Sequence, residues 1–325
     1  GKTAVVETPE GPVQIRAEVL VLATGSEPVE LPALPFGGRV LSSTDALALT
    51  EVPDRLAVVG GGYIGLELGT AYAKLGASVT VVEAAPRILP QYDAELTRPV
   101  AQRLTQRGVR VLTGARAGGL SDSGALRVAG VDGAEDIHAD KVLVTVGRHP
   151  RATAAGLDRL RLEMAGPFIR IDERCRTSMA GVFAIGDVTG EPMLAHRAMT
   201  QGEMVAELVA GKPRVWDKRA IPAVCFTDPE IVSAGLSPDE ARAQGHEAMT
   251  GLFPFAANGR AMTAGDETGF IRVTARAETH EVLGIQAVGA GVAEMAGGFA
   301  LALEMGARLE DIAGTIHAHP TRGEA

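Results

Sequence analysis

The chain has 325 residues, of which 46% are hydrophobic and 22% charged, so its composition is that of a soluble globular protein with two or three domains. Its net charge of −9 argues against general nucleic-acid binding, and no apolar run approaches the roughly 18 residues that a membrane span requires. No secretory signal pattern is present, and the two cysteines, Cys175 and Cys225, allow at most one bridge, which favours a reducing cytoplasmic setting.

The first residues predict short strands at 4–7, 13–17 and 18–23, the last of which ends at Thr24 and Gly25. This strand-then-glycine pattern is compatible with a nucleotide-binding fold of its own. The chain starts without Met inside strand-like sequence and ends just after a polar motif. We therefore expect a piece of a longer protein.

Residues 56–83 hold the most informative pattern of the chain. An apolar strand at 56–59 precedes the turn Gly60-x-Gly62-x-x-Gly65, which leads into an amphipathic helix and a second strand at 79–82. In such a βαβ unit the first glycine allows the tight turn, the second lets the backbone approach a diphosphate, and the third lets helix and strand pack closely. The diphosphate binds at the helix N-terminus, so the sequence predicts a dinucleotide site.

Glu83 bears on the kind of dinucleotide. It lies about 20 residues after the turn, where a carboxylate accepts a hydrogen bond from a ribose 2′-OH. A 2′-phosphate would be repelled there, and Ala84 and Ala85 stand where an arginine for that phosphate is expected. Arg87 is near enough to keep NADP open, but the pattern favours NAD.

Residues 53–150 are predicted to form one nucleotide-binding domain. Its further elements are a helix at 93–106, a strand at 109–112, a hairpin at 126–131 and 135–139 that turns at Asp132-Gly133, and a buried strand at 142–146.

The pattern changes in the second half of the chain. Strands at 168–171 and 182–185, the second ending at Gly186-Asp187, precede a helix at 193–209. Beyond Pro222 the predicted strands are 224–226, 269–275 and 282–288, and the predicted helices are 237–244 and 292–303. This mixture is typical of an α+β domain.

The C-terminal segment is the second informative stretch. His317 and His319 form an H-x-H pair that lies on one face of an extended strand, so a metal site is one interpretation, although no Cys or third His clusters nearby. Pro320 restricts His319 to extended backbone, and Glu324 can fold back to orient the imidazole, as a general base requires. A surface histidine at a frayed end is the remaining alternative.

Several motifs occur together in this chain: G-G-G-Y-I-G-L-E at 60–67, H-x-H-P-T-x-x-E at 317–324, A-I-G-D-V at 184–188, A-T-G-S at 23–26, V-G-R at 146–148 and F-T-D-P-E at 226–230. With this combination the chain resembles, over essentially its whole length, the dihydrolipoamide dehydrogenase family of flavin disulfide reductases. The resemblance implies an α/β protein with a Rossmann-like NAD domain, a partial FAD domain and a C-terminal α+β dimerisation domain. The implied divisions are 1–50 for an FAD-domain remnant, 51–150 for the NAD domain, 151–218 for a second FAD-domain segment and 219–325 for the dimerisation domain.

The resemblance implies the reoxidation of protein-bound dihydrolipoamide by NAD⁺, through FAD and a redox disulfide. His319 matches the base that takes a proton from the dihydrolipoyl thiol, and Glu324 matches its partner. Both act in the site of the opposite subunit of an obligate homodimer, and the His319–Pro320 peptide is expected to be cis. The implied partners are the lipoyl domain and the core of a 2-oxo acid dehydrogenase complex, with neither nucleic acid nor membrane.

The resemblance also implies cofactor contacts. A solvated helix acid is the alternative for Glu67, and a turn aspartate is the alternative for Asp187; no metal is expected. The implied NAD residues are Gly60, Gly62, Tyr63, Ile64, Gly65, Glu67 beside the nicotinamide, Glu83, Gly147 and Arg148. The implied FAD residues are Thr24, Gly25, Gly186, Asp187 on the ribityl chain, and Met193, Leu194 and Ala195 beside the flavin.

Two motifs of the family are missing from this sequence: the glycine motif for the ADP of FAD and the redox-active C-x-x-x-x-C. Cys175 and Cys225 are expected to be structural. The sequence is therefore expected to be a fragment that is inactive alone and retains FAD poorly, and Arg322-Gly323 is expected to loosen the pair of His319 and Glu324. The alternatives are a glutathione-type reductase, a soluble transhydrogenase and a non-enzymatic NAD-binding dimeric module. Glu83 disfavours the first of these, because it disfavours NADP.

Overall fold

The computed structural model describes residues 2–131 and 133–325, which fold into two compact units. The first unit consists of Gly1–Glu27 and Arg148–Lys218, and the second consists of Pro28–Gly147 and Arg219–Ala325. Each unit therefore combines two separate stretches of the chain. Residues 28–50, expected to belong to the FAD-domain remnant, lie within the second unit.

The first unit contains short strands and one long helix. Leu20–Leu22 and Val182–Ala184 pair in parallel above a small apolar core. The helix Ala195–Val209 buries Met204 and Val205 in a second cluster. The helix begins two residues later than predicted, because Leu194 is still extended and serves as its N-cap. The remaining elements are the hairpin Thr3–Thr8 and Gly11–Arg16, the strands Ser26–Pro28, Arg148–Pro150, Met164–Ala165 and Phe168–Ile169, and the 3-10 segments Ala154–Leu160 and Gly186–Thr189.

The second unit contains the predicted nucleotide-binding fold as a five-stranded parallel sheet. The strand Arg55–Val59 lies at the centre of this sheet, between Ser78–Glu83 and Lys141–Val144. The first of these neighbours follows it in the chain after one helix, whereas the second comes from much further along the chain, so the strand order reverses here. Ligands of open parallel sheets bind outside the carboxyl ends of the strands at such a reversal of strand order. The strand order across the sheet is Val40–Leu41, Lys141–Val144, Arg55–Val59, Ser78–Glu83 and Arg110–Thr113.

Three helices accompany this sheet: Ser43–Leu47, Tyr63–Lys74 and Ala94–Gln106. The helix Ala94–Gln106 has the apolar periodicity that predicted it. Leu96, Val100 and Leu104 recur every four residues along one face, and each is at most 1% exposed. Asp93 caps the helix by accepting a hydrogen bond from the Glu95 N–H, which supports the predicted start.

An antiparallel sheet of three strands follows, with the order Gly133–Ile137, Leu126–Gly130 and Arg116–Leu120. The predicted hairpin is confirmed, and Arg116–Leu120 adds a strand that the sequence analysis missed. Of the predicted Asp132-Gly133 turn, Asp132 lies outside the described residues. The sheet buries Leu126 and Val128 against the core that holds Ala57 and Val144.

The C-terminal part of the second unit is a five-stranded antiparallel sheet with helices, so the predicted α/β class with an α+β terminal domain is confirmed. Within residues 2–131 and 133–325, no helix combines the length and apolar character that spanning a bilayer demands. The strand order is Ala223–Cys225, Glu230–Gly235, Val282–Gly289, Phe270–Arg276 and Ala248–Pro254. The helices are Pro238–Ala243, Gly259–Ala264, Ala296–Glu304 and Leu309–Ala313, with 3-10 segments at Phe255–Ala257, Val292–Met295 and Arg322–Glu324.

Candidate active site

The turn between Arg55–Val59 and Tyr63–Lys74 depends on glycine at two positions. Gly60 has a φ of +107°, and a Cβ there would lie 2.5 Å from the Thr145 carbonyl oxygen. A Cβ on Gly65 would lie 2.2 Å from the Gly60 carbonyl oxygen and 2.5 Å from Thr145 Oγ1. Backbone and helix therefore pack at a distance that any side chain would prevent.

Gly62 differs from these two glycines because its missing side chain opens space towards solvent. A Cβ on Gly62 would meet nothing within 4 Å. The 12-residue helix that follows starts without a side-chain cap, so its first backbone N–H groups point towards that space. An uncapped helix N-terminus beside a side-chain-free backbone fits the diphosphate of a dinucleotide.

Glu83 is held at the mouth of this turn. Its Oε2 accepts a hydrogen bond from the Gly61 N–H at 2.6 Å, and its Oε1 accepts one from the Ala85 N–H at 2.6 Å. Because each carboxylate oxygen has two lone pairs, both can still accept from ribose hydroxyls. Arg87 donates to the carbonyls of Leu89 and Pro90, so its guanidinium is engaged by backbone rather than extended towards a phosphate.

Glu67 lies on the helix Tyr63–Lys74 and is half-buried rather than solvated. Its Oε1 accepts a hydrogen bond from the Phe226 N–H at 2.8 Å. Burial raises the pKa of Glu67, although that hydrogen bond favours the charged form. Tyr92 and Cys225 lie close enough to interact electrostatically with it. A carboxyl group in such surroundings is a candidate for a functional role.

Asp187 belongs to a second group of polar residues, in the first unit. Ser26 Oγ donates to Asp187 Oδ2 at 2.6 Å, and Arg148 Nε donates to Ser26 Oγ at 2.7 Å. Arg148 Nη2 also donates to the Ser26 carbonyl at 2.8 Å. Arg148 was expected at the edge of the NAD site, whereas its described contacts join it to Ser26. Gly147, the last residue of its stretch in the second unit, accepts from the Val29 N–H at 3.0 Å.

The geometry around Asp187 fits a polyol ligand. Oδ2 of Asp187 accepts the bond from Ser26, and a carboxylate has further lone pairs with which it can accept from a hydroxyl group of a ligand. Gly186, with a φ of +71°, turns the chain sharply just before this carboxylate. Thr24 and Gly25 precede Ser26, and the hydroxyl of Thr24 donates to the Arg151 carbonyl at 2.9 Å. A carboxylate at such a turn suits the ribityl hydroxyls of FAD.

The 3-10 segment Gly186–Thr189 and the loop at 190–194 lead into the helix Ala195–Val209. Met193 donates its N–H to Glu191 Oε2 at 2.9 Å, and Leu194 donates to the Pro192 carbonyl at 2.9 Å. Ala195 is the first residue of the helix, whose N-terminus has no side-chain cap. The three residues expected beside the flavin thus lie together at this helix start.

His319 and Glu324 form the pair that the sequence predicted. The imidazole Nδ1 lies 3.0 Å from Oε1 and 3.0 Å from Oε2 of Glu324. The hydrogen bond from His319 holds the pKa of Glu324 below its usual range. With Nδ1 facing a carboxylate, Nε2 is left as the acceptor nitrogen. The His319–Pro320 peptide is cis, as predicted, and Gly323 does not prevent the pair from forming.

The segment that carries this pair is tied to the C-terminal sheet domain. Asn258 Nδ2 donates to the Thr321 carbonyl at 3.0 Å, and Arg322 Nη2 donates to the Asp266 carbonyl at 3.0 Å. The Arg322 guanidinium also lies over the Phe255 ring, 5.2 Å from its centroid. The frayed-end alternative for His319 therefore does not describe this segment.

The cysteines and the second histidine have other surroundings. Cys175 and Cys225 are both buried and unbridged, and burial raises the pKa of their thiols to about 11 and about 12. His317 Nε2 lies 3.3 Å from the Ile312 carbonyl oxygen. Across residues 2–131 and 133–325, no three His, Cys, Asp or Glu side chains are grouped so that they could hold a metal ion.

Sequence reasoning missed three residues of these groups: Ser26, Arg197 and Gln201. Arg197 and Gln201 are buried polar residues on the helix Ala195–Val209, and both bond to the loop that holds Asp187. Their spacing of four places them on one helix face with apolar Val205. Polar residues on an otherwise apolar helix face were the signal that could have identified them.

Two family matches cover nearly the whole chain. Residues 2–202 match the family described as pyridine nucleotide-disulphide oxidoreductase. Residues 221–325 match the dimerisation domain of that same family. The second match contains His319 and Glu324, and the first contains both the glycine turn and Asp187.

Individual proteins show the same relationship. The chain is 60% identical to a dihydrolipoyl dehydrogenase of Pseudomonas aeruginosa, over 100% of this chain and 70% of the relative. It is 46% identical to dihydrolipoyl dehydrogenase 2 of Haloarcula marismortui, over 97% of this chain and 68% of the relative. The crystal structure of LpdA from Mycobacterium tuberculosis matches with a TM-score of 0.90 and 30% identity, over 98% of this chain and 71% of that one.

Proposed function

This chain belongs to the pyridine nucleotide-disulphide oxidoreductase family, and we propose that the protein it forms is a dihydrolipoyl dehydrogenase. The proposed reaction oxidises the dithiol of a protein-bound dihydrolipoyl group and passes two electrons to NAD⁺. The relatives named above carry this activity in their names. The observation that carries the proposal is the His319–Glu324 pair, because the oxidation of a dithiol requires a base.

We assign to His319 the removal of a proton from the dihydrolipoyl thiol. The thiolate, not the thiol, is the nucleophile that would attack the redox disulfide that the resemblance implies and that Cys175 and Cys225 do not form. That disulfide would be reduced as the dithiol is oxidised, and a base beside the substrate makes this first step possible. Glu324 fixes the tautomer in which Nε2 accepts that proton and stabilises the imidazolium that results. The pair lies in the dimerisation domain, which supports a homodimer in which each His319 serves the site of the partner subunit.

The glycine turn is the proposed site of the NAD⁺ diphosphate, with Gly60, Gly62, Tyr63, Ile64 and Gly65 around it. Glu83 is the proposed acceptor for the adenosine ribose hydroxyls. A 2′-phosphate would meet this carboxylate while Arg87 is held by backbone carbonyls, so we propose NAD rather than NADP as the cofactor. This argues against the NADP-using glutathione-type reductases.

FAD, when bound, supplies the electron transfer between dithiol chemistry and the nicotinamide. On this chain, Asp187 is the proposed acceptor for a ribityl hydroxyl, and residues 193–195 are the proposed wall beside the flavin. We place Glu67 near the nicotinamide, in surroundings whose burial raises the pKa of its carboxyl group. The proposed partners are a second copy of the chain and the lipoyl domain and core of a 2-oxo acid dehydrogenase complex, in the cytoplasm.

The experiment that tests this function uses the FAD-loaded enzyme that carries this sequence. NADH formed from dihydrolipoamide and NAD⁺ is followed at 340 nm for the wild type, for His319→Gln and for Glu324→Gln. We expect His319→Gln to lower turnover by about 100-fold to 10,000-fold, the usual contribution of a general base. The turnover of Glu324→Gln is expected to lie between those of the wild type and His319→Gln, because the His319 imidazole is present but less well oriented.

His317→Gln is the matched control, since its imidazole lies two residues away and bonds to the Ile312 carbonyl. We expect near wild-type turnover for it. In His319→Gln, reduction of the bound flavin by NADH should persist, which separates loss of the base from loss of either cofactor. Unchanged turnover in His319→Gln would remove the base assignment, and absence of dihydrolipoamide oxidation in the wild type would refute the proposed function.

A further inference from the structure

The helix Ala195–Val209 presents two buried polar side chains to the loop at residues 186–192. Arg197 and Gln201 are spaced by four, so they lie one turn apart on the same helix face. Arg197 is 8% exposed and Gln201 is 3% exposed. Their burial is unusual for these residue types and calls for partners within the fold.

Gln201 bonds to the first residue of the loop. Its Oε1 accepts a hydrogen bond from the Gly186 N–H at 2.7 Å. The loop lies directly against the helix at this point, because a Cβ on Gly186 would be 3.0 Å from Ala198 Cβ. Gln201 thus fixes the Ile185–Gly186 peptide, one residue before the peptide that leads into Asp187.

Arg197 bonds to the far end of the same loop. Its Nη1 donates to the Gly190 carbonyl at 2.6 Å and to the Pro192 carbonyl at 3.3 Å. Its Nη2 donates to Thr189 Oγ1 at 3.0 Å, and Thr189 Oγ1 donates to the Gly186 carbonyl at 2.8 Å. One guanidinium therefore connects both ends of the turn that surrounds Asp187.

Burying the Arg197 guanidinium costs free energy that a role in packing alone would not require. The described hydrogen-bond partners of Arg197 are carbonyls and a hydroxyl, so its charge is buried without a carboxylate bonded to it. Burying a charge in this way costs more than an apolar residue of similar volume would. The carboxylates of Asp187 and Glu191 lie near enough to interact with it electrostatically. The guanidinium is thus bonded directly to the segment that carries Asp187.

We propose that Arg197 and Gln201 are positioning residues for FAD, which hold Asp187 in the orientation that accepts a ribityl hydroxyl. Neither side chain is assigned to the ligand itself. Gln201 fixes the Ile185–Gly186 peptide, and Arg197 bonds to Thr189, Gly190 and Pro192 after Asp187, so the carboxylate is preorganised before FAD arrives. This inference rests on the proposed function, because that function requires FAD at Asp187.

The test is FAD binding by the apoprotein of the full enzyme, titrated with FAD and followed by the quenching of flavin fluorescence. We expect Gln201→Leu and Arg197→Met each to raise the dissociation constant about 10-fold or more, the scale of one lost buried hydrogen bond. Gln201→Glu should restore binding, because a carboxylate oxygen also accepts from the Gly186 N–H. Thr189→Val changes the loop and not the helix, so it tests the inference even if the helix variants fold poorly. It should also weaken FAD binding.

Met204→Ala is the matched control, since Met204 is buried on the same helix and packs against the core rather than the loop. It should lower the melting temperature of the apoprotein while leaving the FAD dissociation constant unchanged. Wild-type FAD affinity in Gln201→Leu, Arg197→Met and Thr189→Val would overturn the inference, as would an equal loss of affinity in Met204→Ala. If the wild type binds FAD and oxidises dihydrolipoamide but the FAD dissociation constants of these variants are unchanged, only this inference is overturned. If the wild type does not bind FAD, the proposed function is overturned as well.

Discussion

At the scale of single residues, the glycine turn shows that identical residues serve different physical ends. Gly60 and Gly65 are required by the fold, because a Cβ at either position would collide with backbone atoms. Gly62 has a φ of −78°, which any residue adopts, and apart from its own chain neighbours a Cβ there would meet no atom of the described residues within 4 Å. The fold has no need of glycine at 62, and the open space there fits the proposed site of the NAD⁺ diphosphate.

This difference predicts that Gly62→Val folds normally but binds NAD⁺ poorly. The added side chain occupies the space in front of the helix N-terminus where the diphosphate is proposed to bind. We expect affinity for NADH, measured by its fluorescence on binding, to fall about 100-fold, or roughly 3 kcal/mol. The melting temperature should be close to that of the wild type.

Gly65→Val is the contrasting variant, since its Cβ would lie 2.2 Å from a carbonyl oxygen. It should lower the melting temperature clearly as well as NADH affinity. If Gly62→Val binds NADH as the wild type does, the diphosphate does not approach the backbone at this residue.

Residues joined by local spacing were predictable, and residues joined across the chain were not. The glycines, Glu83 and the pair of His319 and Glu324 lie within short sequence patterns whose geometry follows from helix, strand and turn. The bond from Arg148 to Ser26 spans 122 positions. No periodicity encodes such a contact, and the family resemblance implied a place at the edge of the NAD site for Arg148 instead.

At the scale of secondary-structure elements, the strands that the sequence analysis missed have weak signals for identifiable reasons. Ala248–Pro254 contains Gly251 and ends in proline, and it lies at the edge of its sheet, where proline is tolerated. Arg116–Leu120 contains two glycines. Glu230–Gly235 lies inside its sheet but has a polar first residue and a central Ser233. Neighbouring strands, rather than intrinsic propensity, make these segments extended.

Asp228 connects two helices to the start of the C-terminal sheet. Its carboxylate lies 3.0 Å from Lys74 Nζ, 2.5 Å from Arg107 Nη2 and 3.9 Å from Arg103 Nη1. Burial alone would raise the pKa of Asp228, but the hydrogen bonds from Lys74 and Arg107 outweigh it and hold the pKa below its usual range. The nearby Phe226 N–H, which bonds to Glu67, lies in the segment that this cluster fixes.

Asp228→Asn is therefore expected to destabilise the fold, because three cations lose their shared anion. We expect a loss of about 1–2 kcal/mol in urea unfolding at neutral pH, at the lower end for charged hydrogen bonds because Lys74 and Arg107 stay partly in water. Since the pKa is lowered by folding, the stabilisation is complete above about pH 4, the value of an unfolded aspartate, and is lost as pH falls through the lowered value.

The deficit of Asp228→Asn should accordingly shrink as the pH is lowered below that range. Asp239→Asn is the matched control, because Asp239 is 80% exposed and pairs with a single arginine. Its effect on urea unfolding should be much smaller. Equal stability of Asp228→Asn and the wild type at neutral pH would show that the cluster contributes no net stabilisation.

At the scale of the whole molecule, the order of residues along the chain does not follow the order of the units. The first unit combines Gly1–Glu27 with Arg148–Lys218, and the second combines the glycine turn with the segment of His319. A division into units of this kind arises from contacts between distant segments, which composition and periodicity do not reveal. The resemblance to a family implied that residues 1–50 and 151–218 belong to one kind of domain, whereas residues 28–50 lie within the second unit.

The proposed homodimer makes a prediction about which subunit supplies the base. If His319 serves the partner's site, a hybrid dimer of one His319→Gln subunit and one Gly62→Val subunit contains one complete site. The His319→Gln subunit keeps an intact glycine turn and receives its base from the Gly62→Val subunit. The other site lacks both NAD⁺ binding and the base. Hybrids isolated through two different affinity tags should therefore show about half the wild-type turnover per dimer.

The same hybrid has no working site if each His319 serves its own subunit, because one subunit then lacks the base and the other lacks NAD⁺ binding. Each parent variant, purified as a homodimer, provides the baseline and should be nearly inactive. Dihydrolipoamide oxidation by the hybrid is measured against that baseline at 340 nm, after both tags have been verified in the purified dimer. Turnover no higher than the baseline would place His319 in the site of its own subunit, and the dimerisation domain would then serve assembly alone.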